Sequence, residues 1–484
     1  MTKHLDIDTK AMRAKILDLA IRGKLTDQRQ EDGNARDLLK EIQAEKERLI
    51  KEKKIKKEKP LPEITEEEKP FDIPENWEWV RLGEIIELQS GQDFPKSKYS
   101  DTDKEGIPYI TGASCFTKNG VLENRWTRFP KCIATKGDIL LVCKGSGYGK
   151  ITICNLQEVH IARQIMAIKR NEYLNLSYIE SFLMARIKLI KENGQGLIPG
   201  ISRDIVLNLL FPLPPLAEQQ RIADKVSALF SQLDTIDKAY EEYRELQLVM
   251  KLKLLELAIQ GKLTDQRQED GNARDLLKEI QAEKEKLIKE KKIKKEKPLP
   301  EITEEEKPFE IPENWEWVRL GEVIKPEISK LPKKSFTYID IASINNQLNT
   351  IQNAKYLNIE KDKIPSRARV SVEPGDIIFS TVRPYLRNIA IIPDKGDMSP
   401  LVASTGFVPL RAFTGITCRY LFYVSISKYV VSSMTRLMKG DNSPSCKKSD
   451  LLNCPIPISP LAEQQRIVAK LDELLPHLNP GKEP

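Results

Sequence analysis

The residues best equipped for recognition stand in two short runs. Lys144, Ser146, Tyr148 and Lys150 alternate with glycine in KGSGYGK, directly after the apolar stretch of GDILLV (137–142). Glycine lets a backbone approach a ligand closely, while hydroxyl and ammonium groups bind phosphate oxygens. The equivalent run, TVRPYLRN (381–388), follows GDIIFS (375–380) and offers Arg383, Tyr385, Arg387 and Asn388. Arginine suits guanine and asparagine suits adenine in the major groove, so these types would serve as contacts if the ligand were duplex DNA. For each single residue a second reading stays open: a strand-end surface residue, with Tyr385 packed on its own domain.

Covalent chemistry has little to work with. The only histidines are His4, His160 and His477, two of them in helical or terminal segments that suit no pocket. GSGYGK (145–150) fails as a phosphate loop, because Ile151 follows Lys150 where the motif needs Ser or Thr, and Lys144 stands where it needs Gly. No GxGxxG follows a strand, no HExxH or CxxC spacing suggests zinc, and no Asn-Pro-Pro-aromatic motif of the adenine-methyltransferase kind occurs. Neither a catalytic residue, a metal site nor a bound cofactor is expected. The seven cysteines (Cys115, Cys132, Cys143, Cys154, Cys418, Cys446 and Cys454) read as reduced thiols.

The elements that position the two runs are written twice. Residues 23–86 recur at 261–324 with three differences: Arg48 becomes Lys286, Asp72 becomes Glu310 and Ile85 becomes Val323. PLAEQQRI recurs at 215–222 and 460–467. Between these frames lie two divergent inserts, roughly 87–211 and 325–456, each with a Gly-Asp-Ile turn feeding a strand and each leaving through prolines (FPLPP, CPIPISP). The inserts hold 17 Lys/Arg against 12 Asp/Glu and 19 against 10, leaving the rest of a chain of net charge +7 at −7. A basic surface confined to two segments suits a polyanion, although ordinary solvated charge reads the same numbers. The lysine run KEKKIKKEK touches DNA or forms a solvated helix face; the equally dense acidic run beside it favours the second. Trp77, Trp79, Trp315 and Trp317 sit in identical repeats and read as core anchors.

After Pro215, Ile222, Val226, Leu229, Leu233, Ile236, Tyr240, Tyr243, Gln247, Met250, Leu254 and Leu257 alternate four and three apart. That spacing predicts a long coiled-coil helix in which Gln247 is the one polar, register-setting position. Met12, Ile16 and Leu19 match its second half, and Ile467, Leu471, Leu474 and Leu478 its first. The expected fold is therefore α+β: two mixed α/β domains joined by long antiparallel coiled-coil helices in a pseudo-two-fold, circular arrangement. The boundaries expected are 1–72 (helical repeat and connector), 73–215 (first recognition domain), 216–310 (central helix, second repeat and connector), 311–460 (second recognition domain) and 461–484 (C-terminal helix). No apolar run approaches the roughly 18 residues of a membrane span, and the first residues read as no secretory signal, so the cytoplasm is the expected location.

PLAEQQRI after a proline exit, LAIRGKL and LAIQGKL closing a helix, and IPENWEWVRLGE opening each insert together resemble the specificity (S) subunits of type I restriction-modification systems. The resemblance covers the whole chain. It implies a non-catalytic subunit whose inserts are target-recognition domains, each reading half of a bipartite site in double-stranded DNA, with the helices setting the gap. It also implies two modification (M) subunits that use S-adenosylmethionine, and restriction (R) subunits that use ATP and Mg. Two other readings are an adaptor whose inserts bind proteins, disfavoured by the basic inserts, and a self-contained restriction enzyme, disfavoured by the missing methyltransferase and nuclease motifs.

Overall fold

The apolar run ILLV (139–142) is a strand with no polar alternation, which requires cover on both faces. A computed structural model, describing residues 7–478 except 56, 58, 146, 194–199 and 395–399, supplies that cover. Ile139 and Leu141 face one core, with the helix Leu176–Asn193, and Leu140 faces another between two sheets. The chain divides into two compact units, 1–240 and 241–484.

In the first unit the N-terminal helix Thr9–Ile21 starts at Asp8, whose carboxylate caps the Ala11 N–H. It runs antiparallel to the early part of the helix Leu216–Ile259. Thr9 donates to Asp237 at 2.7 Å, Arg13 reaches Asp234 at 2.8 Å, and the Arg13 guanidinium lies 5.1 Å from the Phe230 ring. The charged repeat forms the helix Ala35–Lys51, capped by Asn34, which buries Ala35, Leu38 and Ile42 at helical spacing. An extended connector follows. It is tied down by Arg81, which donates to the carbonyls of Pro62, Glu63 and Asn208 and to Glu68.

The insert enters and leaves through one ladder. Strand Glu78–Arg81, from WEWVR, pairs antiparallel with Leu210–Leu213 from the proline exit. Inside are two four-stranded sheets. The outer one runs in the order 126–127, 107–110, 158–161, 133–135, and the inner one 88–90, 165–168, 139–142, 151–153.

The second unit repeats this plan with a different sequence. Glu316–Arg319 pairs with Pro455–Ile458. Its outer sheet runs 355–357, 336–339, 401–404, 368–372, with the same parallel central pair, and a three-stranded sheet runs 389–391, 377–380, 407–410. Both Gly-Asp-Ile turns do the same work. Gly137 and Gly375 have φ of 95° and 86°, and Asp138 and Asp376 are buried, accepting the N–H groups of Thr135 and Glu373 and pairing with Lys169 and Arg411.

The expected apolar seam is corrected in one respect. Ile222, Val226 and Leu233 are buried and Leu229, Ile236, Leu254 and Leu257 half-buried, but Tyr240, Tyr243 and Met250 are exposed, while Gln247 is buried. The reason lies within each unit. The N-terminal helix begins opposite Asp237, and the short C-terminal helix, Leu461–Leu474 with its final turn to Leu478, reaches only as far as the groove with Met250 and Leu254. Between these points, among the described residues, neither unit lays a helix of its own along the stripe.

Candidate nucleic-acid interface

The two recognition runs occupy the same place in the two inserts. Each is the loop that leaves a buried strand, Ile139–Val142 or Ile377–Ser380, and returns as its antiparallel neighbour, Ile151–Ile153 or Ile389–Ile391. In the first, Gly149 donates to the Val142 carbonyl at 2.6 Å and Tyr148 to Gly145 at 3.1 Å, closing a tight turn. Gly149 has φ of 86°, a left-handed backbone that favours glycine. Lys144 and Lys150 are exposed, whereas Tyr148 is half-buried with the Lys191 ammonium 5.2 Å from its ring. Ser146 lies outside the described residues. Lys191, near the end of the helix Leu176–Asn193, was not singled out by the sequence, because nothing local links it to a loop some forty residues earlier.

The second loop is built by strain and clamps. Arg383 and Arg387 both have left-handed backbones, φ 47° and 54°, on either side of a turn that starts at Pro384. Such conformations cost about 1–3 kcal/mol each in non-glycine residues and persist where neighbours enforce them. Here Arg383 N–H donates to the Pro444 carbonyl, and the side-chain amides of Asn346 and Asn349 donate to the carbonyls of Leu386 and Ile389. Arg383 is exposed, with one guanidinium nitrogen on the Asn442 carbonyl at 2.8 Å, and Tyr385 is exposed beside it. Arg387 turns inward, donates to the Ile426 carbonyl at 3.1 Å, and has its pKa lowered by burial. Asn388 is only 6% exposed. Of the four residues, therefore, Arg383 and Tyr385 are exposed, while Arg387 and Asn388 are turned into the fold.

The duplicated motifs meet in a buried polar node. Glu218 is fully buried and accepts from Trp77 Nε1 at 2.8 Å, Gln28 at 2.7 Å and Thr26 at 3.2 Å. Glu463 accepts from Trp315, Gln266 and Thr264 at 2.7, 2.6 and 3.2 Å. Burial raises both carboxyl pKa values against these donors. Arg221 grips Asp32 through two nitrogens, and Arg466 grips Asp270 likewise. Gln219 and Gln464, each fully buried, hold the backbone at Asn175 and Thr417, where the next helix starts. Gly23 and Gly261 pass under Pro74 and Pro312, where a Cβ would approach to 2.5 and 2.4 Å. The three motif groups GKL, WEW and LAEQQR are thus one assembly, and the sequence alone had given their recurrence but not this contact. Trp79 and Trp317 sit against Phe71 and Phe309 at 5.1 and 5.0 Å, the packing role read for them.

Among the described residues no group of three or more His, Cys, Asp or Glu could hold a metal ion, and no helix is long and apolar enough to cross a membrane. The type I restriction modification DNA specificity domain matches the chain twice, at residues 74–242 and 312–482. The chain belongs to this family. Both matches of this specificity-family chain open just before the node tryptophan and run past the node glutamate. The chain is 31% identical to the type I restriction enzyme EcoAI specificity subunit of Escherichia coli, over 97% of the chain and 89% of that protein. It is 28% identical to the EcoEI specificity subunit of the same organism, over 96% and 88%. The crystal structure of the HsdS subunit from Thermoanaerobacter tengcongensis matches at 20% identity with a TM-score of 0.47, over 85% of this chain and 92% of that one.

Proposed function

We propose that this specificity subunit reads a bipartite DNA site, one half through each insert, and supplies no catalytic group itself. One observation carries the reading. Two inserts with the same outer-sheet strand order stand on near-identical frames, yet at the same loop one offers Lys144 and Lys150 and the other Arg383 and Tyr385. A frame that is preserved while its ligand-facing side chains diverge suits one task performed on two different base sequences.

In this reading residues 73–215 and 311–460 are the target-recognition domains. The 44-residue helix Leu216–Ile259 is the spacer of an antiparallel, pseudo-two-fold, circular arrangement, and the segments 1–72, 216–310 and 461–484 are scaffold. The frames repeat with three differences in residues 23–86, so they offer two equivalent docking surfaces for two M subunits, which bring S-adenosylmethionine. R subunits bring ATP and Mg. The cytoplasm, where the DNA is, is the working location.

Replacing residues 325–456 by the same span of another family member tests the reading. The expected result is a new methylation target in which one half changes and the other persists. A change in both halves, or in neither, contradicts it.

A further inference from the structure

Exposed cations remain in both inserts. In the outer lobe of the first, the arginines are engaged, while Lys96, Lys131 and Lys136 are exposed and, among the described residues, pair with no carboxylate. Arg125 pairs with Asp101 at 2.6 Å, Arg128 with Asp103 at 3.0 Å, and Lys118 with Asp234 at 2.5 Å, while Lys98 and Lys104 lie 5.7 and 5.5 Å from the rings of Phe129 and Trp126. In the second, Lys330, Lys333, Lys334, Lys361, Lys363 and Arg367 are exposed, and among the described residues none of them pairs with a carboxylate. Two acids, Glu360 and Asp362, stand among these six cations; Asp362 accepts the Asn358 N–H at 2.8 Å.

These cations belong to two chain segments that lie side by side. Lys330 N–H donates to the Arg369 carbonyl, Ser329 bridges to Val370, and Ile359 N–H donates to Ser335 Oγ at 3.3 Å. The later segment covers the small core of Phe336, Tyr338, Ala368 and Val402 through Leu357 and Ile364, so its lysines stand on the outside of that cover. Like charges in such excess over their counter-ions repel one another. A ligand that supplies the missing charge along a line removes the repulsion.

We propose that this face of the second insert, Lys330–Lys334 beside Lys361–Arg367, is a phosphate-backbone rail for duplex DNA. It rests on the DNA-reading function above and adds to it the two chain segments of the second insert that hold the phosphates.

The test measures binding of a random-sequence duplex by the full chain, reconstituted with its methyltransferase partners, as salt rises from about 50 to 200 mM. Each phosphate contact contributes about 0.9 to the slope of log affinity on log salt. The triple variant Lys333→Gln, Lys334→Gln, Lys363→Gln is expected to make the slope shallower by about 2 to 3. Arginine at the same three positions is expected to keep it. Arg125→Gln, Arg128→Gln, Lys118→Gln in the first insert is expected to change it by less than about 1. An unchanged slope in the first variant overturns the rail while leaving DNA reading intact, and an equal change in the last overturns the assignment of the rail to this face. If the unaltered complex shows no salt-dependent binding at all, the DNA-reading function itself fails.

Discussion

Trp77 and Glu218 are 141 residues apart in the chain and joined by a buried 2.8 Å hydrogen bond; Trp315 and Glu463, 148 residues apart, are joined by one of 2.7 Å. Each insert therefore begins and ends at the same bond, and a difference in insert length leaves the closure unchanged.

Glu218→Ala leaves the buried Trp77 Nε1–H without an acceptor. The expected cost is about 1–3 kcal/mol of stability, read from the denaturant midpoint of the first unit, with the same cost for Glu463→Ala in the second. An unchanged midpoint would show the node to be dispensable.

Much of this architecture was legible in the sequence, because repeats and turns are local signals. The equivalence of GDILLV and GDIIFS, the paired loops after them and the anchoring tryptophans follow from residues close together in the chain. What was illegible depends on contacts between distant residues. The four-three spacing at Tyr240, Tyr243 and Met250 matches a seam, but spacing cannot tell where the neighbouring helix ends. TVRPYLRN offers four polar groups, but which two turn inward is decided by Ile426 and by the Asn346 and Asn349 clamps.

Arg383→Ala is expected to weaken recognition of one half-site by about 1–3 kcal/mol, the worth of a bidentate base contact, and to leave the other half-site untouched. Arg387→Ala is expected instead to lower stability, since its guanidinium sits on the Ile426 carbonyl. Competition between duplexes mutated in one half or the other, together with thermal melts, separates the two outcomes. Equal loss at both halves for Arg383→Ala would mean that it serves phosphate or structure alone.

His160 gives the first unit a pH dependence. Its ring is fully buried and stacked on Phe94 at 4.3 Å; Nδ1 accepts the N–H groups of Lys131 and Cys132, which leaves Nε2 to donate to the Gln92 carbonyl at 2.8 Å. Burial lowers its pKa below 6.5. The unfolded chain takes up this proton at higher pH than the folded one, so the stabilisation is full above about pH 6.5 and declines as pH falls through the depressed value. Denaturant midpoints measured against pH should show the decline for the unaltered chain and a flatter curve for His160→Gln. Identical curves would remove His160 as the cause.

If the helix Leu216–Ile259 sets the gap, lengthening it should lengthen the gap alone. Four residues inserted near Gln247 add roughly 6 Å, about two base pairs, and nearly one helical turn, so the apolar stripe is disturbed little. A matching insertion before Thr9 keeps the arms equal. The doubly lengthened chain is expected to direct methylation to the same half-sites with a longer gap. An active variant that keeps the original gap would contradict the spacer role.

The most direct measurement is a genome-wide map of methylated adenines in cells that express this chain with its methyltransferase partner, set against cells that express the partner alone. The account predicts one new motif made of two specific halves separated by a fixed stretch of unspecified bases, present only when the chain is present. A continuous motif without a gap, or the same methylation with and without the chain, would contradict it.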